Sequence, residues 1–182
     1  MLRTKDILDE KDPRVRAKNT DVDFPLNDEY KDIIPEMLKH LRYSQIEKLS
    51  KKYDLRPGMG LAAPQLGINK NFFVVCYEVK DGVFDDYVLI NPKVISYSEE
   101  MIYAGEGEGC LSVNREVEGI VPRHARITVE AYDLDGNKRK YRVREDLAIA
   151  FQHELDHLNG ILFVDYIDPK DPYKNAELYR EI

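Results

Sequence analysis

Hydrophobic residues from Asp28 onward recur at helical spacing. Ile33, Ile34, Met37, Leu38 and Leu41 fall on one stripe, which predicts a helix starting near residue 28. Ser44-Gln-Ile-Glu47 has the form of a capping box and predicts a second helix to about Tyr53, ended by Arg56-Pro57-Gly58. The pattern then becomes strand-like. Phe72–Val79 and Tyr87–Ile90 flank a turn at Asp81-Gly82, and Lys93–Tyr97 follows a turn expected at Asn91-Pro92. Ile127, Val129 and Ala131 alternate with Thr128, Glu130 and Tyr132, after which Asp135-Gly136 reverses the chain into Lys138–Val143 as a hairpin. Helical periodicity returns over Glu145–Asn159, with Gly160 where a C-terminal cap belongs. Helices at both ends with antiparallel strands between them predict an α+β class, not a doubly wound parallel sheet.

Residues 1–27 are polar and punctuated by Pro13 and Pro25, so they read as an arm with at most one short helix. No repeat or linker interrupts the chain. The 182 residues are therefore expected to form one domain, with the arm and N-terminal helices over 1–54, a motif-bearing core over 55–166 and a tail over 167–182. That length buries a core without disulfide staples. At 43% hydrophobic and 34% charged residues, the composition is that of a soluble globular protein with an ion-paired surface. A net charge of -7 argues against an electrostatic DNA binder, while leaving room for a small, transient ribosome contact. The longest apolar run, Phe72–Tyr77, is far too short to span a membrane, and the N-terminus lacks the apolar core of a signal peptide. A reducing cytoplasm is the expected compartment. Cys76, inside the apolar run, reads as a small core residue; Cys110 lies in a polar, glycine-rich segment, and no disulfide between them is expected.

The chemistry concentrates on the last helix. His153 and His157 are four residues apart and share a helix face, so both imidazoles can reach one ion. Glu154 is the next residue round the helix, near enough to a bound water to move its proton, which is the logic of H-E-x-x-H. An inert surface pair of histidines would fit the same spacing. Yet Leu147, Ile149, Ala150, Phe151, Leu155 and Leu158 make this helix apolar, and buried polar groups need partners. A catalytic metal takes three protein ligands and keeps one position open, so a third ligand is required. Another histidine, a carboxylate, Cys76 and Cys110 are the candidates. His40 and His124 sit among cationic neighbours and read as solvated surface residues, whereas Gly105-Glu-Gly-Glu-Gly-Cys110 gives a pliable backbone that can carry a thiolate to an ion. Gly58-Met-Gly-Leu-Ala-Ala-Pro-Gln65 lacks the third glycine of a dinucleotide fingerprint and the Lys-Ser/Thr of a phosphate loop. What it offers is close backbone approach and one neutral donor, Gln65.

Together, Gly58-Met-Gly-Leu-Ala-Ala-Pro-Gln65, Glu108-Gly-Cys-Leu-Ser112 and His153-Glu-Leu-Asp-His157 resemble the three ordered motifs of the peptide deformylases. These enzymes remove the N-formyl group from newly made bacterial and organellar proteins, releasing formate. All three motifs match without a departure, over about residues 55–166. The longer N-terminal part and the tail ending Tyr179-Arg-Glu-Ile182 resemble the type 2 form found mostly in Gram-positive bacteria. The resemblance implies that Cys110, His153 and His157 hold one divalent ion, natively iron(II), with nickel, cobalt or zinc able to substitute. It implies Glu154 as the proton carrier, and Gln65 with the Leu111 N–H as donors to the oxyanion. Gly58, Met59 and Gly60 would receive an extended N-formylmethionyl nascent peptide; Ile149 and Ala150 with Met59 are candidate walls of its methionine pocket, a plain core role fitting Ile149 and Ala150 equally well. Glu108, Arg123 and Asp156 read first as an ordinary structural ion pair, and one that could also hold the Cys110 loop against the helix. A monomer without DNA or membrane partners is expected.

Two other readings share parts of this pattern. A zinc metalloprotease would take its third ligand downstream, but the 25 residues after His157 hold no histidine and, besides three aspartates, only Glu177 and Glu181. A domain with a purely structural metal would want four protein ligands and no open position.

Overall fold

The computed structural model describes residues 1–182 as an α+β fold. Its helices are α1 (Asp28–Gln45), α2 (Glu47–Tyr53) and α3 (Glu145–Leu158). A five-stranded antiparallel sheet runs in the order β1 (Gly60–Ala62), β2 (Phe72–Lys80), β3 (Val83–Tyr97), β6 (Arg126–Tyr132) and β7 (Lys138–Arg144). A second sheet places β4 (Met101–Tyr103) between β5 (Arg123–His124) and β8 (Arg180–Glu181). The β4–β8 pairing is parallel, the one such pairing among the named strands.

The apolar run Phe72–Cys76 is buried on both faces, which explains its lack of alternation. Phe72, Val74 and Cys76 point to one side, where Ile34, Met37 and Leu41 of α1 meet them. Phe73 and Val75 point to the other, against Ala148 and Phe151 of α3 and Val129 and Ala131 of β6. The sheet is thus sandwiched between α1 and α3. Asn27 caps α1 by accepting from the Tyr30 N–H (2.9 Å), and Gly160 follows α3 at φ 71°, as a left-handed terminator does. At the far edge of the large sheet, β7 carries Lys138, Arg139, Lys140, Arg142 and Arg144, all exposed.

Several expectations change in detail. The N-terminal arm has two short 3-10 turns, Thr4–Asp6 and Pro13–Arg16, not one. The second helix exists, but Ser44 does not cap it: Ser44 lies inside α1, and its hydroxyl donates to the Leu41 carbonyl and accepts from the Gly58 N–H. Asn91-Pro92 is a bulge within one continuous strand, with Asn91 at φ 51° and its side chain bonded to the Val22 backbone. His40 is fully buried rather than solvated, because the arm folds over α1 and brings the Leu2 carbonyl 3.1 Å from Nδ1. His124 is half-buried, its Nδ1 2.7 Å from the Ser98 carbonyl. Both cysteines are free, and no helix is long and apolar enough to cross a membrane.

Candidate active site

The inner face of α3 presents His153 and His157 at helical spacing, and the loop after Gly107 brings Cys110 to them. The Cys110 Sγ and one nitrogen of each ring all lie within 4.8 Å of one another. Sγ is 3.3 Å from His157 Nε2, and tetrahedral ligands at bond lengths of about 2.0–2.3 Å stand roughly 3.5 Å apart. His153 Nδ1 is 2.8 Å from Glu108 Oε1, which leaves its Nε2 for a cation. One thiolate and two imidazoles form a borderline-soft set suited to iron, cobalt, nickel or zinc. The residues fit a divalent ion. Burial, together with the neighbouring His153 and Arg123, holds the His157 ring well below the ordinary histidine value, so it is neutral and able to ligate. Burial alone would lower His153 as well, but the Cys110 thiol and the Glu108 carboxylate raise it well above that value.

A cleft of about 330 Å³ opens beside these ligands. Gly58, Met59, Gly60, Gln65, Cys110, Leu111, Ile149, Ala150, His153 and Glu154 all line it, and His157 sits behind. Glu154 is 3% exposed, and its Oε2 has no hydrogen-bond partner. Burial pushes its carboxyl up to about 7; a cation beside it opposes that rise. Gln65 is locked: its Oε1 accepts from the Ala62 N–H (2.9 Å), and its Nε2 donates to Ser112 Oγ (3.0 Å) and lies 3.6 Å from Cys110 Sγ. The Leu111 N–H has no acceptor within the chain. Gly60 needs to be glycine, because a Cβ there would stand 2.3 Å from Glu154 Oε1.

Behind the ligands lies a buried ionic network. The Arg123 guanidinium grips Glu108 through Nε (2.8 Å) and Nη2 (2.9 Å) and Asp156 through Nη1 (2.5 Å). Arg123, Glu108 and His153 thus form one chain of contacts from β5 to the loop to α3. Sequence reasoning placed Glu108, Arg123 and Asp156 together but missed two contributors. Arg56 donates to the Cys110 carbonyl (2.6 Å) and fixes the loop from outside; nothing in its sequence context, a charge after a helix, distinguishes it. Ser112 both receives the Gln65 amide and directs its own N–H to Cys110 Sγ at 3.4 Å. Its place in the Glu-Gly-Cys-x-Ser motif was the available signal.

Comparison with known proteins gives a consistent likeness. The polypeptide deformylase family model matches residues 4–173. A peptide deformylase of Macrococcus caseolyticus is 50% identical over 175 residues, covering 96% of this chain and 95% of that one. A peptide deformylase 2 of Bacillus anthracis is 46% identical over 173 residues, covering 95% and 94%. Among solved structures, a probable peptide deformylase from Synechococcus phage S-SSM7 aligns at TM-score 0.73 and 35% identity, over 88% of this chain and 98% of that one. A class I type b peptide deformylase from Acinetobacter baumannii, solved with Met-Ala-Ser bound, aligns at 0.69 and 27% identity, over 88% and 96%.

Proposed function

The chain belongs to the polypeptide deformylase family, in a form consistent with type 2, and from that premise we propose the role of each residue in its cleft. The activity is metal-dependent hydrolysis of the N-formyl group of formylmethionyl peptides, releasing formate. The observation that carries the assignment is the convergence of Cys110, His153 and His157 beside the unpartnered carboxylate of Glu154 and the Gln65 amide, at one cleft. We read the whole of 1–182 as a single catalytic domain, acting as a monomer in the cytoplasm.

Cys110, His153 and His157 hold the ion, for which we propose iron(II). Bound there, it would supply Lewis acidity and acidify a water. Glu154 would take a proton from the attacking water on Oε2 and deliver it to the departing amine. Gln65 and the Leu111 N–H donate to the formyl oxygen as it gains charge. The Gln65 amide is fixed beforehand by Ala62 and Ser112, so it needs little reorganisation in the transition state. The substrate lies extended along the free edge of β1, adding a strand beside Gly58–Gly60. Its methionine enters between Met59, Ile149 and Ala150.

Formyl-Met-Ala-Ser is the testing substrate. Formate release with the internal peptide bonds intact is the expected result, and cleavage between residues would favour a protease instead. Gly60→Ala is expected to lower kcat about 10²-fold with the fold intact, since the added methyl displaces the Glu154 carboxylate by something near 1 Å. Circular dichroism alongside kinetics checks this; a variant with full turnover would mean that Glu154 need not sit where it does. The metal identity has its own test. Iron(II) reacts with dioxygen beside an oxidisable thiolate whereas nickel(II) does not, so the iron form should lose activity in air while the nickel form keeps it. Equal aerobic lifetimes would count against iron.

A further inference from the structure

Residues Arg180–Ile182 are bonded to both elements that wall the substrate cleft. Along β4, the Ile182 N–H donates to the Tyr103 carbonyl (3.0 Å) and the Gly105 N–H donates to the Ile182 carbonyl (3.0 Å), so the ladder runs past Ala104. Glu181 lies flush over this strand end: Tyr103 Oη donates to its Oε2 (3.1 Å), and a Cβ on Gly105 would stand 2.3 Å from its Oε1. Toward α3, Arg180 donates to both oxygens of Glu145 (2.9 and 3.0 Å) and also to Glu100 ahead of β4 (2.7 Å). Ile182 and Ala104 pack against the buried trio Ile102, Ala125 and Ile149. Ala104 and Ile149 are themselves cleft residues.

We propose that Ile182 is a specificity-determining residue, setting from behind Ala104 and Ile149 how far the pocket for the substrate's first side chain can widen. This rests on the deformylase reading above. Ala104 directly follows β4 and Ile149 belongs to α3, and a pocket shared by two elements keeps its width only if something spans both. Residues 180–182 do so, through the backbone ladder on one side and the Arg180–Glu145 pair on the other. Ala104 has a small side chain, so the wall there is one methyl thick, and the partly buried Ile182 fills space behind it. Truncating Ile182 leaves a void that neighbours fill only in part, and the wall gains room to recede. The exposed ion pairs add little stability, so the effect is local to the pocket.

Steady-state kinetics of wild type, Ile182→Val and Ile182→Ala on formyl-Met-Ala-Ser and formyl-Phe-Ala-Ser test this, with metal content and melting temperature measured for each. For Ile182→Ala, KM for the methionine peptide should rise about fivefold while kcat stays within about twofold, and the phenylalanine-to-methionine ratio of kcat/KM should rise about tenfold. Ile182→Val should fall between, and supplies the answer if the alanine variant does not fold. Unchanged KM and an unchanged ratio overturn the proposal. An equal loss of kcat on both substrates, with metal or melting temperature lost, also overturns it by reducing Ile182 to a structural role. If wild type releases formate from neither peptide, the deformylase reading fails first and the specificity claim falls with it.

Discussion

Glu154→Gln is expected to bind metal as wild type does and to deformylate about 10²–10⁴-fold more slowly. The carboxylate is not among the three converging ligands, so its loss leaves the ion's cradle unaltered. The amide matches it in size and keeps the packing against Gly60, where there is no spare room. What the amide cannot do is accept a proton from water and return it to the leaving nitrogen. Metal analysis of the purified variant, paired with kcat on formyl-Met-Ala-Ser, separates the two roles. Retained turnover would remove Glu154 from the mechanism. Loss of metal together with turnover would make it a support for the ligands instead.

The second large effect is expected at Arg123→Ala, which should cost about 3–5 kcal/mol of stability. Arg123 is 3% exposed and faces two carboxylates, Glu108 and Asp156, that have no other cation within salt-bridge reach apart from the His153 ring on Glu108. Removing the guanidinium leaves the buried Glu108 carboxylate and the partly buried Asp156 carboxylate without their shared cation. Metal affinity should fall about 10–100-fold as well, because Glu108 orients His153. Arg123→Lys restores charge but not the fork that holds both partners, so it should rescue only in part. Urea unfolding and metal titration read these effects, and a variant as stable as wild type would show that the network is replaceable.

The same network predicts an acid limit. Burial alone would raise the Glu108 carboxyl, but its bonds to His153 and Arg123 outweigh this and hold it at about 2, against an ordinary 4.5. A depressed carboxyl contributes stability that is fully present above the ordinary value and lost as pH falls toward the folded one. Wild type should therefore lose stability between about pH 4.5 and 2, with a slope that flattens in Arg123→Ala.

Local chemistry made much of this site readable. The helix face of His153 and His157 follows from spacing alone, and the glycine loop announced a close backbone approach at Gly60. The third ligand did not follow from composition; Cys110 was one candidate of four until the motif order singled it out. Where reading failed, the cause was long-range. The strands β4, β5 and β8 have two or three residues each, too few to show a period, and they form only because β4 pairs with residues 21–23 positions away in β5 and 78 positions away in β8. His40 looked solvated because Lys39 and Arg42 flank it in sequence, yet on a helix those neighbours point elsewhere while Leu2 folds onto its ring. Asn91-Pro92 carried a turn signal that the strand absorbed as a bulge, since the arm at Val22 satisfies the Asn91 amide.

The large sheet has two open edges, and they are not equivalent. On β1 the edge is three residues long, uncharged and set beside the metal ligands; on β7 it bears five cations in seven residues. Unpaired strand edges invite any extended chain, and lysine or arginine along one discourages it. A newly made chain is itself an extended strand without a partner. On the role proposed above for β1, it would meet a molecule on which one margin is a docking rail and the other a fence, and the rail is the one beside Glu154.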